Sequence, residues 1–164
     1  MSALDDLNRR FGIAGILNFE EAGKDFIAVR VSNPLGAATI ALQGAHVMTY
    51  QPRGQPPLIW LSEQARFAPG KSIRGGVPVC WPWFGPHATE SGFPGHGFAR
   101  TVLWQLLETR ALPDGRTRLV FEIIQNDATR AQWPHPSRVR NIITVGQELE
   151  VELVVSLQSR QKRF

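Results

Sequence analysis

Two arginines and a histidine in one glycine-rich stretch could together bind a charged ligand. Arg74 lies directly before two consecutive glycines, His96 lies between two glycines, and Arg100 follows shortly before an apolar run. A guanidinium group can donate two parallel N–H bonds to a phosphate or carboxylate, and glycine lets a ligand approach the backbone. An imidazole can donate to a ligand oxygen or transfer a proton near neutral pH. These residue types indicate an anion site formed by Arg74 and Arg100, with His96 as a further candidate for contact with the ligand.

Each of these three residues also has a purely structural interpretation. A surface arginine often pairs with an acid, and a single histidine is more often a hydrogen-bonded structural residue. An anion site further requires that the two arginines converge, which the sequence does not show. The aromatic residues of the same stretch also have two interpretations. Trp81, Trp83 and Phe84 could stack on the apolar C–H face of a sugar, or they could belong to the core.

The sequence has no pattern typical of a metal site or a phosphate-binding loop. His87, His96 and His135 lack the spacing of metal ligands. The single cysteine, Cys80, excludes an internal disulfide and a cluster of several cysteines, and its apolar context resembles that of a small buried residue. Neither a Walker-type loop nor a nucleophile elbow is present. We therefore expect no metal and no cofactor.

Most of the net positive charge of the chain comes from its C-terminal residues. The formal net charge is +4 and the pI is near 10.0. The last seven residues, QSRQKRF, hold three basic residues and no acid, and without them the net charge is +1. A nucleic-acid partner is therefore not expected. Acids near the N-terminus argue against a signal peptide, and no apolar run approaches the ~18 residues of a membrane span. We expect a cytoplasmic protein without membrane contact.

Short strands joined by turns dominate the chain, which favours a single all-β domain over residues 1–164. Apolar residues at spacings of three and four predict an amphipathic helix at residues 3–11. Strands are predicted at residues 26–33, 37–43, 45–52, 57–62, 101–110, 117–126, 139–145 and 148–157. Alternation in the last strand predicts one buried and one exposed face. Glycines and prolines make residues 72–100 an ordered loop system carried on this scaffold.

Two motifs in the glycine-rich stretch, taken in order, resemble a known family. They read SIRGGVPVCWPWFG at residues 72–85 and PGHGFAR at residues 94–100. They are similar to motifs of the hexose-6-phosphate mutarotases, the glucose-6-phosphate 1-epimerase branch of the aldose 1-epimerase family. The segments ATIALQGAHVMTYQP and PLIWLS upstream, and VLWQLLE and LEVEL downstream, resemble the same family. The resemblance covers roughly residues 25–155.

The resemblance implies a large antiparallel β-sandwich of the galactose mutarotase-like type. It also implies that the protein interconverts the α and β anomers of a hexose 6-phosphate without a cofactor. Arg74 and Arg100 match family arginines that bind the substrate through its phosphate, and His96 occupies a substrate-site position. Gly95 stands where other members have glutamine, so a side-chain contact from that position is absent here.

The acid–base pair of the family has no counterpart in this sequence. Mutarotation requires a base that takes the proton from the C1 hydroxyl and an acid that protonates the ring oxygen. In the family, a histidine in a His-Thr-Tyr-Phe-like motif follows the strand that resembles LEVEL, and a glutamate lies farther downstream. This sequence stops at ELVVSLQSRQKRF, so we assign no catalytic residue and expect a truncated or frameshifted chain that is inactive alone. An incomplete sandwich is also expected to self-associate through uncovered strand edges.

Two other functions stay open at this point. A non-catalytic carbohydrate or sugar-phosphate binding module would use the same loops for binding alone. A nucleic-acid-binding β domain would rest on the high pI and the aromatic loop, and its affinity would fall steeply with salt.

Overall fold

Two four-stranded antiparallel sheets form the body of the protein in a computed structural model, which describes residues 2–157. The first sheet contains β1 (Leu17–Gly23), β2 (Phe26–Ser32), β3 (Gly36–Ala41) and β4 (His46–Pro52). The second contains β5 (Trp104–Ala111), β6 (Thr117–Ile123), β7 (Ser137–Val145) and β8 (Leu149–Leu157). Helices α1 (Ala3–Phe11) and α2 (Asp127–Gln132) lie outside the sheets. Strands pair in sequence order within each sheet, and the predicted antiparallel β-sandwich is confirmed.

The main core lies between the two sheets. Burial alternates along the strands, as in β2, where Val29 and Val31 are buried and Arg30 between them is exposed. Side chains from both sheets that are completely buried meet in this layer, namely Ile40, Val47, Trp104, Leu119, Phe121, Val139 and Ile143. Removal of this apolar surface from water is the main favourable contribution to folding.

Part of the first sheet is also buried on its outer face. Phe26 and Met48 pack there with Ile73 in a second core cluster, and Leu61 and Phe67 lie over them. The chain between β4 and β5 therefore folds back across the first sheet. This explains why the sequence of β2 reads as a nearly continuous apolar run, and it anchors the beginning of the loop system that carries the predicted site.

Asn33 joins the two sheets at one end of the sandwich. Its side-chain amide donates to the Thr117 hydroxyl and to the Val145 carbonyl oxygen, each at 2.9 Å. Its Oδ1 accepts from the backbone N–H groups of Leu35 and Gly36, which closes the turn between β2 and β3. The residue is 3% exposed. Buried hydrogen bonds of this kind are costly to break, so they fix how the sheets lie on one another.

The N-terminal helix and seven of the eight predicted strands are present, with ends that differ by a few residues. The strand predicted at residues 57–62 is wrong. Only Leu61 forms a β bridge there, with Gly75, because Pro56 and Pro57 lack the N–H groups that a ladder needs. β1 and α2 were not predicted, since β1 has only two buried residues and α2 is six residues long.

The expectation of one buried face for the last strand is also wrong. Val151, Leu153 and Val155 of β8 continue the core-facing side of β7, yet they are 41%, 42% and 42% exposed. β8 is the last strand of its sheet, and the described residues leave this face open beyond Leu149. Alternation in a sequence identifies an apolar face, but it does not show that another layer covers it.

Self-association therefore stays a prediction, and β8 is where we expect it. An unpaired edge strand with apolar side chains pairs readily with a second copy. Leu153→Lys places a charge on the apolar face and should shift the chain towards monomer in sedimentation velocity. Leu58→Lys is the matched control, because Leu58 is 60% exposed outside both sheets, and it should leave the association unchanged. A wild-type chain that remains monomeric at every concentration would contradict the prediction.

Candidate functional site

The backbone segments that carry Arg74 and Arg100 both contact a buried corner of the chain, residues 44–46, between β3 and β4. Gly44 and Ala45 have positive φ angles of 77° and 43°. A Cβ added at Gly44 would lie 2.9 Å from the carbonyl oxygen of Arg100, so glycine allows the Arg100 backbone to lie directly against the corner. The Ala45 carbonyl oxygen accepts a 3.0 Å hydrogen bond from Nδ2 of Asn141 on β7. The corner therefore positions Arg100 relative to both sheets.

His46, which no sequence pattern singled out, is buried beneath the site with 1% of its surface exposed. Its Nε2 lies 2.8 Å from the carbonyl oxygen of Gly75 and donates to it. Burial lowers the pKa of His46, the hydrogen bond to Gly75 raises it, and the positive charge of Arg100 lowers it again, so that the net shift is downward. Nδ1 is buried and has no hydrogen-bond partner among the described residues. His46 is therefore neutral at pH 7, with its proton on Nε2.

Arg74 lies on a loop that two glycines hold against His46. Gly75 and Gly76 have φ angles of 99° and 71°, which residues with side chains rarely adopt. A Cβ added at Gly76 would lie 2.5 Å from Nε2 of His46, so no larger residue fits without displacing the histidine. The N–H group of Gly76 also donates to the carbonyl oxygen of Trp60 at 2.8 Å. The loop is thus fixed on both sides, while the Arg74 side chain is exposed.

His96 is held by a reciprocal pair of hydrogen bonds with Gly85. The backbone N–H group of His96 donates to the Gly85 carbonyl oxygen at 2.8 Å. The ring nitrogen Nδ1 of His96 accepts from the backbone N–H group of Gly85 at 3.0 Å. His96 has a φ angle of 66°, and the Phe84 ring packs edge-on against its imidazole at 4.7 Å between centroids. Because Nδ1 accepts, the neutral ring carries its proton on Nε2. His96 therefore has an N–H donor available for a ligand oxygen.

Arg100 is half-buried and reaches back towards His96. Its Nη2 donates to the Gly95 carbonyl oxygen at 3.1 Å, and its Nε is buried without a partner in residues 2–157. Neither Arg74 nor Arg100 forms a salt bridge with a described carboxylate, whereas eight other arginines do. The structure thus brings Arg100 beside His96. It joins the Arg74 loop to the same corner through His46.

The aromatic residues of the loop system divide between core and surface. Trp81 is 8% exposed and packs against Phe98 and Trp133, with ring centroids 5.5 and 5.6 Å apart. Trp83 is half-buried, and its Nε1 donates to a backbone carbonyl oxygen at 3.0 Å. Phe84, in contrast, is 80% exposed. Of these three candidates for stacking on a sugar, Phe84 is the one whose ring is free to do so.

Other features of the described chain do not add to this site. Within residues 2–157, no group of three or more His, Cys, Asp or Glu side chains is placed to hold a metal ion. The helices of this range are too short and too polar to cross a membrane. Cys80, expected to be buried, is only partly so. A cavity of about 550 Å³ lies beside α1 and β1, and the three predicted site residues do not line it.

We predict that stability falls as the pH drops below the ordinary pKa of histidine. Because burial lowers the pKa of His46 in the folded chain, the unfolded chain takes up a proton first, near its reference value of 6.5. The stability contribution is complete above about pH 7 and is lost progressively at lower pH. His46→Gln keeps an N–H donor for Gly75 and should flatten the pH dependence of the urea midpoint between about pH 5 and 7.

Asp5 and Asp114 contribute to the pH dependence mainly at lower pH than His46. The carboxyls of Asp5 and Asp114 have pKa values below their reference of 3.8, since hydrogen bonds from Ser2 and Arg116 stabilise the charged forms. Their contributions are lost progressively below about pH 5, whereas the contribution of His46 begins to be lost near about pH 7. Equal slopes for the wild type and His46→Gln between pH 5 and 7 would contradict the assignment.

Comparison with known proteins places the chain in a family. The aldose 1-epimerase family matches residues 28–164. A Salmonella typhimurium protein with the provisional name glucose-6-phosphate 1-epimerase is 42% identical over 129 residues, which are 79% of this chain and 43% of that protein. An Escherichia coli protein with the same provisional name is 44% identical over 123 residues, which are 75% of this chain and 41% of that protein.

Solved structures share the architecture. The crystal structure of a provisionally named mutarotase from Salmonella typhimurium has a TM-score of 0.83 and 38% identity, and the likeness covers 89% of this chain and 48% of that one. A galactose mutarotase-like protein from Clostridium acetobutylicum has a TM-score of 0.63 at 15% identity, covering 87% of this chain and 49% of that one, and shows the fold alone. The galactose mutarotase-like fold type is thereby confirmed.

The chain spans somewhat less than half the length of the relatives that it matches. Within that span, the order of the motifs, the β-sandwich fold and the sequence identity all point to the same family. Because the family match covers most of its residues, the chain belongs to the aldose 1-epimerase family.

Proposed function

We propose that this chain supplies the phosphate- and sugar-binding part of a site that interconverts the anomers of a hexose 6-phosphate. One observation carries the proposal. Arg74 and Arg100 lie on two loops that join at one buried corner, and neither has a described acidic partner. The provisional names of the relatives, glucose-6-phosphate 1-epimerase, support the substrate class.

Arg100 is prepared to receive an anion. The bond from Nη2 to the Gly95 carbonyl oxygen restrains the side chain before any ligand arrives, which reduces the entropy lost on binding. A buried Nε without a partner costs free energy. Since Nε is closed to solvent, the guanidinium must turn for a phosphate oxygen to accept from it, and that bond would remove this cost while a second, parallel bond forms.

Arg74 contributes a second positive charge from the other loop. Its side chain is exposed, so it can move to meet a ligand, while the backbone that carries it is fixed by the contacts of Gly75 and Gly76. The absence of a described carboxylate next to either arginine leaves their charge available for a dianionic phosphate.

His96 is proposed to donate a hydrogen bond to a sugar oxygen. During mutarotation the C1 hydroxyl loses a proton, the ring oxygen gains one and the bond between C1 and the ring oxygen breaks. After rotation about C1–C2, the reverse steps close the ring on the other face. Since the Gly85 N–H group occupies Nδ1, only the Nε2 side of His96 can contact substrate. This geometry suits binding and orientation of the sugar.

The proposal does not place the acid and the base of this reaction within residues 2–157. No described carboxylate forms a hydrogen bond with the imidazole of His46, His87 or His96, whose bonded ring nitrogens all contact backbone groups. The described chain can therefore hold a sugar phosphate without being equipped for both proton transfers.

The first prediction from this proposal concerns affinity. Arg74→Ala and Arg100→Ala should each weaken binding of glucose 6-phosphate by roughly 1.5–3 kcal/mol, the range for hydrogen bonds to charged groups. Calorimetry on the purified chain measures this. Arg30→Ala is the control, because Arg30 lies on the outer face of β2 and pairs with Glu20 at 3.6 Å. A crystal grown with phosphate should show the ion between the two site guanidiniums, and side chains that point apart would refute the shared site.

The second prediction concerns turnover. The 164-residue chain should bind glucose 6-phosphate without accelerating its anomer exchange, because a general acid and base typically contribute about 10²–10⁴-fold. Exchange spectroscopy by NMR gives the rate, with the Escherichia coli relative as a reference of full family length. If that relative also binds without turnover, the alternative of a non-catalytic sugar-phosphate binding module is supported. Robust turnover by the 164-residue chain would contradict the prediction, and His96 would be the first residue to replace.

A further inference from the structure

Two large aromatic side chains are exposed in the described part of the chain, one in the loop system of residues 72–100 and one in the neighbouring segment at residues 57–62. They are Trp60, which is 71% exposed, and Phe84, which is 80% exposed. Phe84 lies against the imidazole of His96, and Trp60 belongs to the segment beside the Arg74 loop. Sequence reasoning had considered Phe84 but had placed Trp60 in a strand. Because the Trp60 backbone is bonded to the Arg74 loop, its exposed indole is available to a ligand that Arg74 binds.

The backbone of Trp60 is fixed relative to the Arg74 loop. The Gly76 N–H group donates to the Trp60 carbonyl oxygen at 2.8 Å, and the Ser62 N–H group donates to the Arg74 carbonyl oxygen at 3.0 Å. Between these bonds, residues 61 and 75 form a β bridge. The short ladder is tied down by Leu61, which packs into the second core cluster. The backbone of Trp60 is therefore held in place by these contacts, although its indole ring is exposed.

This register puts Trp60 on the same side of the ladder as Arg74. Ser62 lies opposite Arg74, and residues two apart on an extended segment point to the same face. In an ideal antiparallel ladder of this register, residues 60 and 74 take diagonal positions, which lie about 7–8 Å apart, within reach of aromatic and long side chains. A ligand held by the guanidinium at one end can lie across the indole at the other.

We propose that Trp60 is the surface on which the hexose ring lies when Arg74 holds the phosphate. The face of an indole is electron-rich and pairs with the polarised C–H groups on the apolar face of a pyranose. Trp60 would therefore determine the preference for a hexose phosphate over a phosphate without a sugar. This inference rests on the proposed function, because it needs the phosphate to be bound at Arg74.

The test compares two ligands on the same variants. Affinities for glucose 6-phosphate and for inorganic phosphate are measured by calorimetry on the wild type, Trp60→Ala, Trp60→Phe and Leu58→Ala. Trp60→Ala should weaken glucose 6-phosphate binding by about two- to tenfold, the size of an aromatic stacking contribution, and leave phosphate binding unchanged. Trp60→Phe keeps an aromatic face and should recover most of the loss. Leu58 is 60% exposed two residues away, and its removal should change neither affinity.

Several results would overturn the inference. Unchanged affinities for both ligands in Trp60→Ala would refute it. An equal loss for both ligands would also refute it, because it would mean that the ladder had moved. A loss of glucose 6-phosphate affinity in Phe84→Ala but not in Trp60→Ala would assign the ring contact to Phe84 instead. If phosphate binding still depends on Arg74 and Arg100 in these cases, the proposed function survives. If the wild type binds neither ligand, both the proposed function and this inference fail.

Discussion

Three polar groups buried at the corner of residues 44–46 form hydrogen bonds, and their partners come from three separate parts of the chain. The Gly44 N–H group donates to the Val102 carbonyl oxygen at 2.9 Å, ahead of β5. The Ala45 carbonyl oxygen accepts from Asn141 on β7, and His46 donates to Gly75 in the loop system. An unpaired buried polar group would cost on the order of 1–3 kcal/mol. The same bonds that satisfy the corner therefore fix the second sheet and the Arg74 loop on the first sheet.

Local patterns predicted the elements well, and the failures have identifiable causes. Short apolar runs and, in the last strand, alternating apolar residues marked β2 to β8, because each of these strands has an apolar side, whether or not another layer covers it. The segment at 57–62 is apolar but carries two prolines near its start, and its exposed Trp60 shows that apolar composition alone does not make a sheet strand. α2 depends on a capping box between Asn126 and Thr129, a signal too short to stand out against its surroundings.

The residue types in the sequence indicated candidates for a site, but they did not indicate how those candidates lie in the fold. Arg74, His96 and Arg100 stood out because they lie among glycines, and the family resemblance gave them roles. Nothing in the sequence indicated that His46 would lie under the Arg74 loop, since that contact joins residues 29 positions apart. The clue, visible only afterwards, is that Gly76 has no room for a side chain. Together the two arginines and two exposed aromatic rings suit a ligand with an anionic end and an apolar face.

The reciprocal hydrogen bonds between Gly85 and His96 join the two ends of the loop at residues 85–96 and fix them relative to each other. A second closure, from Trp83 Nε1 to the Pro94 carbonyl oxygen at 3.0 Å, lies just inside it, and residues 88–92 at the tip are exposed. Lengthening such a closed loop is cheap, about 0.6 kcal/mol for each doubling of its length. The tip can therefore gain or lose residues during evolution without moving His96. Such a loop separates the part of the protein that can diversify from the part that fixes the position of His96.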